Sequence, residues 1–360
     1  MLRKRHRILY LGPEGPRGHS LLVPVVAAIN FFLFIVTMYV NDCPAHRRSS
    51  SGSCTLPSLG RLSFEPLFDN PLFGPSSSSL SKMGGISSET VAGKHQIWRP
   101  FSCIWLHAGV FHMIVDLISL LFVGIRLEQE FGCVRVGCIY FLSGIGGSLF
   151  SLLFIENRVS VGSSGALFGL MGAVVAEIVP NWSKHEGKCP TFATLGVIAL
   201  LLFIIGLFPH IDNFSHIGGF LFGTMLGYVF FIRPHFDWSK YPMAPHNRIT
   251  DFTIDSSRKM CKMFLWVVIV VLLAVLYLVF MVLAFRGVNG NDHCSWCRSF
   301  SCAPSSHWNC GGGSNSHSIC KYMIRGTTML LTCESNQRSQ IYSGTFSLSS
   351  IKEFCDELCS

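Results

Sequence analysis

Two stretches of this chain carry the residues best suited to covalent chemistry. The first is Val161-Gly162-Ser163-Ser164-Gly165-Ala166-Leu167-Phe168-Gly169-Leu170-Met171-Gly172, which is uncharged and has Gly165, Gly169 and Gly172 at helical spacing. On a helix these lie close to one face, so another backbone can come very near. Ser164 heads that ridge. The second stretch, from Asn213 to Gly227, carries Gly219, Gly223 and Gly227, and His216 heads it in the same way. If the two ridges pack, Ser164 and His216 face each other at one depth. A base held against a serine hydroxyl is the requirement for an activated nucleophile. The plainer account of either ridge is close helix packing, with the serine bonded to a carbonyl in the preceding turn.

A third stretch, His107-Ala108-Gly109-Val110-Phe111-His112-Met113-Ile114-Val115-Asp116, adds two ionisable groups four residues apart. His112 and Asp116 therefore share a helix face. Ionisable groups within a membrane span are costly and usually face a bundle interior or a wet cavity. Such a pair either holds helices together or takes part in chemistry.

The elements that must position these groups are membrane helices. Of 360 residues, 49% are hydrophobic and 13% charged, the latter about half the usual share of a soluble domain. The net charge of +8 raises a nucleic-acid partner as a possibility, but the basic residues fall in the gaps between apolar segments rather than in one patch. That distribution reads as topology, so a lipid bilayer is expected and nucleic acid is not. Leu21 to Val40 is an uncharged run long enough to span, roughly 20 residues. It is too long for a signal-peptide core, and Asn41-Asp42-Cys43-Pro44 is not a small-residue cleavage site. Further spans are expected near 102–125, 134–155, 163–180, 191–208, 215–232 and 263–285.

Seven spans give a cytosolic N-terminus (1–20), a membrane domain (21–285) with a long Ser/Pro/Gly-rich lumenal loop (41–100), and a lumenal tail (286–360). The gaps placed in the cytosol hold Arg126 and Arg135, then Lys184 and Lys188, then Arg233 to Lys262, whereas the short lumenal gaps hold only Arg158. That is the positive-inside bias. The long loop has little core of its own by composition, although Leu62, Phe64, Leu67, Phe68, Leu72 and Phe73 could lie on a membrane surface. Eight cysteines follow Arg286, including Cys294-Ser295-Trp296-Cys297, and Cys43 and Cys54 share their side. Zinc is a rival for the C-x-x-C spacing, but a lumenal tail favours disulfides. With this alternation His112, Ser164 and His216 lie near the lumenal ends of spans two, four and six, where one pocket can hold them all.

Over roughly residues 95–232 the sequence resembles the rhomboid family of intramembrane serine proteases. The family's G-x-S-G motif matches Gly162-Ser163-Ser164-Gly165, and its histidine before a glycine ridge matches His216. Its H-x-x-x-N motif matches His112 and, with Asp for Asn, Asp116. Trp98-Arg99 matches the Trp-Arg pair of the first loop, and Glu128 to Gly132 the acidic-to-glycine pattern after span two. The long first loop, the seventh span and the Cys-rich tail are similar to plant secretory-pathway rhomboid-like proteins.

The resemblance implies an all-α, polytopic membrane protein with a six-helix core plus a seventh, C-terminal transmembrane helix. It implies a Ser164–His216 dyad, with the oxyanion held by the Ser164 backbone N–H and the His112 side chain; Gly162 and Asp116 belong to the same supporting set. Substrates would be transmembrane proteins cleaved within their membrane segments, with no metal and no small-molecule cofactor. The compartment would be the secretory pathway, Golgi or plasma membrane. Asp116 is the departure: an amide donates to an oxyanion, an ionised carboxylate repels it, and a protonated carboxyl can donate. A catalytically weak or inactive pseudoprotease that binds transmembrane clients is the opposed expectation, and a transporter or channel a third.

Overall fold

The computed structural model describes residues 19–47, 54–155, 158–182, 188–231, 249–294, 296–303 and 305, and in the tail 320–325, 328–333, 338–344, 351, 354, 355 and 358. The basic residues of 3–17, Lys184, Arg233, Lys240, Arg248, Cys310 and Cys359, used in the topology argument, lie outside the described residues.

Seven apolar helices follow one another: α1 (Leu22–Asn41), α2 (Val110–Phe131), α3 (Cys133–Ser151), α4 (Ser164–Ile178), α5 (Lys188–Ile205), α6 (Asn213–Phe231) and α7 (Ile249–Phe285). Six are long and apolar enough to cross a membrane, the span in α7 being Met260–Phe285. This is a polytopic all-α membrane architecture. The exception in length is α4, with 15 residues. At 1.5 Å per residue it is about 22 Å long, short of the roughly 30 Å hydrocarbon layer. α4 is also the most enclosed helix, with every residue from Ser164 to Val174 buried. It packs chiefly against α6 and α3. By contrast α5 and α7 expose rows of Val, Leu, Ile and Phe, as lipid-facing helices do.

The glycine ridges explain the central contact. A Cβ built on Gly219 would run into the Gly165 carbonyl, and one on Gly223 into the Gly169 backbone. Only glycine admits backbones this close.

The second span begins at Val110, not near 102. Residues 99–105 form a short helix, Arg99–Ser102, and one further turn, Cys103–Trp105. Leu106 ends that turn, and Gly109 stands at the N-cap of α2 in fully extended conformation. At the far end of α2, Glu128 turns back to α1. Its carboxylate accepts from the backbone N–H groups of Leu21 (2.9 Å), Leu22 (2.7 Å) and Val23 (2.9 Å) and from Ser20 Oγ (2.7 Å). An acid at a helix N-terminus satisfies orphan donors and the macrodipole together.

The first loop differs most from expectation. It is tied by a Cys43–Cys54 disulfide, contains the short helix Ser77–Met83, and buries Leu72, Leu80, Ile86 and Val91. Leu72 is thus a core residue, while Leu67 and Phe68 stay exposed. The loop coheres through buried polar bonds that composition does not reveal. Asn70 Nδ2 donates to the Pro75 and Ala108 carbonyls, each at 2.8 Å, and Arg99 to the Ser81 and Gly85 carbonyls at 2.8 and 2.5 Å.

After α7 the chain packs back on the membrane domain, where the Phe300 carbonyl accepts from Asn213 Nδ2 and the Ala303 N–H donates to the Leu207 carbonyl; the chain divides into two compact units at 310/311. A Cys294–Cys297 disulfide closes the C-x-x-C pair. The second unit, considered alone, contains an antiparallel sheet of β1 (Cys320–Arg325), β2 (Thr328–Cys333) and β3 (Ser339–Ser343) in that order. Met329, Leu331, Cys333, Cys355 and Leu358 form its core, and both of those cysteines are disulfide-bonded.

Candidate active site

Ser164 is the first residue of α4, His216 lies in the first turn of α6 and His112 in the first turn of α2. All three are buried at the same end of the bundle, at 3%, 1% and 0% exposure. The packed ridges bring His216 Nε2 to 2.8 Å from Ser164 Oγ. With Ser164 donating, the neutral ring carries its proton on Nδ1, which has no partner among the described residues. The ring is fixed instead by aromatic contacts. Phe168, one turn below Ser164, stacks on it at 4.6 Å, and Phe203 of α5 meets its edge at 5.6 Å. A stacked imidazole keeps Nε2 aimed at the hydroxyl without a third acid.

The opposite wall is built from His112 and Gly162. The Ala108 N–H donates to His112 Nδ1 at 3.3 Å, which assigns the proton of the neutral ring to Nε2. Gly162 has a φ of +146°. A Cβ there would lie 2.8 Å from His112 Cε1, 3.1 Å from its Nε2 and 3.3 Å from Ser164 Oγ. Glycine thus leaves open the space between the nucleophile and the His112 N–H. The first backbone N–H groups of α4 point into the same region, since the first turn of a helix has no internal acceptors.

Asp116 sits in this wall, its carboxylate among one hydroxyl and two imidazoles. Ser163 Oγ donates to Asp116 Oδ2 at 2.8 Å. Ser163 Oγ in turn lies 3.2 Å from His107 Nε2, so the proton order runs His107 to Ser163 to Asp116. The same carboxylate oxygen is 3.5 Å from His107 Nε2 and 3.4 Å from His112 Nε2, all with 0% side-chain exposure. The His112 contact lacks hydrogen-bond alignment, and His112 Nε2 has no other partner among the described residues. Sequence reasoning missed both His107 and Ser163. The available signal was a histidine five residues before His112 and a hydroxyl beside Ser164.

Asn213-Phe214-Ser215 has the form of a glycosylation signal, but Asn213 is fully buried. Its Nδ2 donates to the Phe203 and Phe300 carbonyls at 3.2 and 2.9 Å. Among the described residues no group of three or more His, Cys, Asp or Glu could hold a metal.

A family model described as Rhomboid domain matches residues 94–233. The chain is similar to RHOMBOID-like protein 1 of Arabidopsis thaliana, at 42% identity over 94% of this chain and 85% of the relative. It is similar to RHOMBOID-like protein 2 of the same plant at 46% identity, over 81% and 90%. It is also similar to a protein called Inactive RHOMBOID-like protein 8, at 39% identity over 80% and 82%.

Proposed function

The chain belongs to the rhomboid family, and on that basis we propose that it is an intramembrane serine endopeptidase acting on transmembrane proteins. The observation that carries the reading is the 2.8 Å contact between His216 Nε2 and Ser164 Oγ in an enclosed site. In this mechanism Ser164 Oγ gives its proton to His216 Nε2 as it attacks the peptide carbonyl. The oxyanion forms at the α4 N-terminus, where the Ser164 backbone N–H and His112 Nε2–H donate to it. His216 then returns the proton to the leaving amine, and water hydrolyses the acyl-enzyme by the reverse path. The scissile segment must leave its helix to reach Ser164, so substrates carry small or polar residues near one membrane surface.

Weak activity, or a client-binding pseudoprotease, is the second reading. Asp116 favours it, because its carboxylate lies 3.4 Å from the His112 nitrogen that must serve the oxyanion. One relative's name, which includes the word inactive, fits the same reading.

The cysteines support a reading of the compartment. The disulfides Cys43–Cys54 and Cys294–Cys297 lie at the end of the bundle that carries Ser164. The exposed free thiols Cys133, Cys189 and Cys261 lie toward the other end. An oxidising lumen on the Ser164 side and a reducing cytosol opposite account for this division. We therefore place the N-terminus in the cytosol and the protein in the secretory pathway, at the Golgi or plasma membrane.

The test is cleavage of a transmembrane reporter by wild type, Ser164→Ala and His216→Ala. Either substitution should abolish cleavage without lowering protein level. Undiminished cleavage in either variant removes the dyad.

A further inference from the structure

Asn30 lies near the middle of α1 and is fully buried, while Ile29 and Phe31 on either side of it are exposed. A polar side chain at that depth in a span is costly, and the chain keeps it inward. It faces the hydroxyl of Tyr140 on α3, a ring that is itself buried. The Tyr140 hydroxyl has two hydrogen-bonding neighbours, Asn30 and Ser163, and the Asp116 carboxylate lies within charge range of it. These contacts are looser than the 2.8 Å bond from Ser163 to Asp116, and fall short of ideal alignment. Helix adhesion alone gives Asn30 and Tyr140 a reason to pair. It does not explain why the phenol also meets the residue that precedes Ser164.

The donors and acceptors set the direction of the chain. Ser163 Oγ gives its one proton to Asp116 Oδ2, so toward its other neighbours it can only accept. One lone pair faces His107 Nε2 at 3.2 Å, and the second is available to the Tyr140 O–H. The Tyr140 oxygen accepts in turn from the Asn30 amide. A hydroxyl that accepts from two donors is itself a stronger donor, because bonds in a chain polarise one another. The oxygen that receives this bond, Asp116 Oδ2, is the same one that lies 3.4 Å from His112 Nε2. The more of its charge Ser163 satisfies, the less it draws on the His112 N–H.

We propose that Tyr140 is a positioning residue for the oxyanion wall: held by Asn30 of α1, its hydroxyl donates to Ser163, and Ser163 keeps the Asp116 carboxylate engaged and off the His112 N–H. The role in the reaction rests on the protease reading; the network itself is a claim about buried hydrogen bonds. It gives α1, which contributes no residue to the Ser164–His216 pair, a connection to the chemistry. Neither Asn30 nor Tyr140 touches the substrate in this scheme. Asn30 acts only through Tyr140, and Tyr140 only through Ser163 and Asp116.

The test is a double-mutant cycle on the full-length protein in proteoliposomes, with kcat and KM resolved on a transmembrane reporter. Tyr140→Phe removes one hydroxyl and keeps the ring. In the wild-type background it should lower kcat roughly threefold to fivefold with KM unchanged, about what one neutral hydrogen bond carries. In the Asp116→Asn background it should leave kcat where Asp116→Asn sets it, because a neutral amide oxygen draws little on the His112 N–H. Asn30→Leu should act in the same direction as Tyr140→Phe and add nothing to it. If Tyr140→Phe melts too low to assay, Asn30→Leu carries the same comparison. An equal fold loss in both backgrounds is what mere packing predicts, and it would overturn the assignment, as would no loss in wild type or a change confined to KM. Melting temperatures of the same four proteins read the network without cleavage: the shift on Tyr140→Phe should be larger beside Asp116 than beside asparagine. If no protein cleaves while that difference holds, the protease reading fails and the network stands. If the proteins cleave and both cycles are additive, the network fails and the protease reading stands.

Discussion

Replacing Asp116 by asparagine should raise the rate of cleavage. His112 Nδ1 is occupied by the Ala108 N–H at 3.3 Å, so the only proton that His112 can offer is on Nε2. That N–H faces two claimants, the oxyanion and Asp116 Oδ2 at 3.4 Å. Removing one oxyanion donor completely costs about 2.7–4 kcal/mol, or roughly 10²–10³ in kcat. The Asp116 contact is long and unaligned, so it diverts the donor only in part. About half of that free energy is a fair share, which corresponds to a rate gain on the order of tenfold to thirtyfold. Asparagine keeps a carbonyl oxygen for the Ser163 hydroxyl, which now donates at 2.8 Å, and removes the charge. The assay is initial-rate cleavage of a transmembrane reporter in proteoliposomes, with kcat and KM resolved. The gain should appear in kcat with KM unchanged, because the contact matters only when the oxyanion exists. A folded Asp116→Asn protein that is clearly less active than wild type would refute this reasoning and give the carboxyl a positive role.

Glu128→Ala should lower stability by about 3 kcal/mol, since four donors at the start of α1 lose a charged acceptor; a melting temperature unchanged in detergent would contradict it. Burial holds the His210 pKa down to about 4 from 6.5, so the fold favours the neutral ring. Stability from this group is complete above pH 6.5 and lost as pH falls from there through about 4. Carboxylates titrate in the same range, so the readout is the difference between proteins: His210→Gln should melt with a shallower pH dependence than wild type, and identical profiles would exclude the effect. In sealed microsomes without reductant, a membrane-impermeant thiol reagent should label Cys133, Cys189 and Cys261 from outside. Labelling of Cys43, Cys54, Cys294 or Cys297 under those conditions would reverse the topology.

What the sequence determined by itself is whatever depends on helical periodicity. Apolar runs of spanning length, the glycine spacings after Ser164 and before Gly227, and the i, i+4 relation of His112 and Asp116 are local properties that survive without knowledge of neighbours. From them came the order of the helices and the facing of Ser164 and His216, because glycine ridges let two helix backbones approach closely. Positions set by polar bonds between distant segments were not legible. The first loop reads as loose by composition, yet Asn70 and Arg99 fasten it through carbonyls that no pattern marks. The start of α2 at Val110 depends on Gly109 and on Leu72 packing against it, not on hydropathy, which rises earlier. The orientation of Asp116 was decided by Ser163 and His107, and the fate of Asp212 by Ser301, which lies 89 residues away. Periodicity fixes which face of a helix is apolar. Only the assembled structure decides which buried polar atoms find partners, because each bond there needs two distant residues placed within about 3 Å.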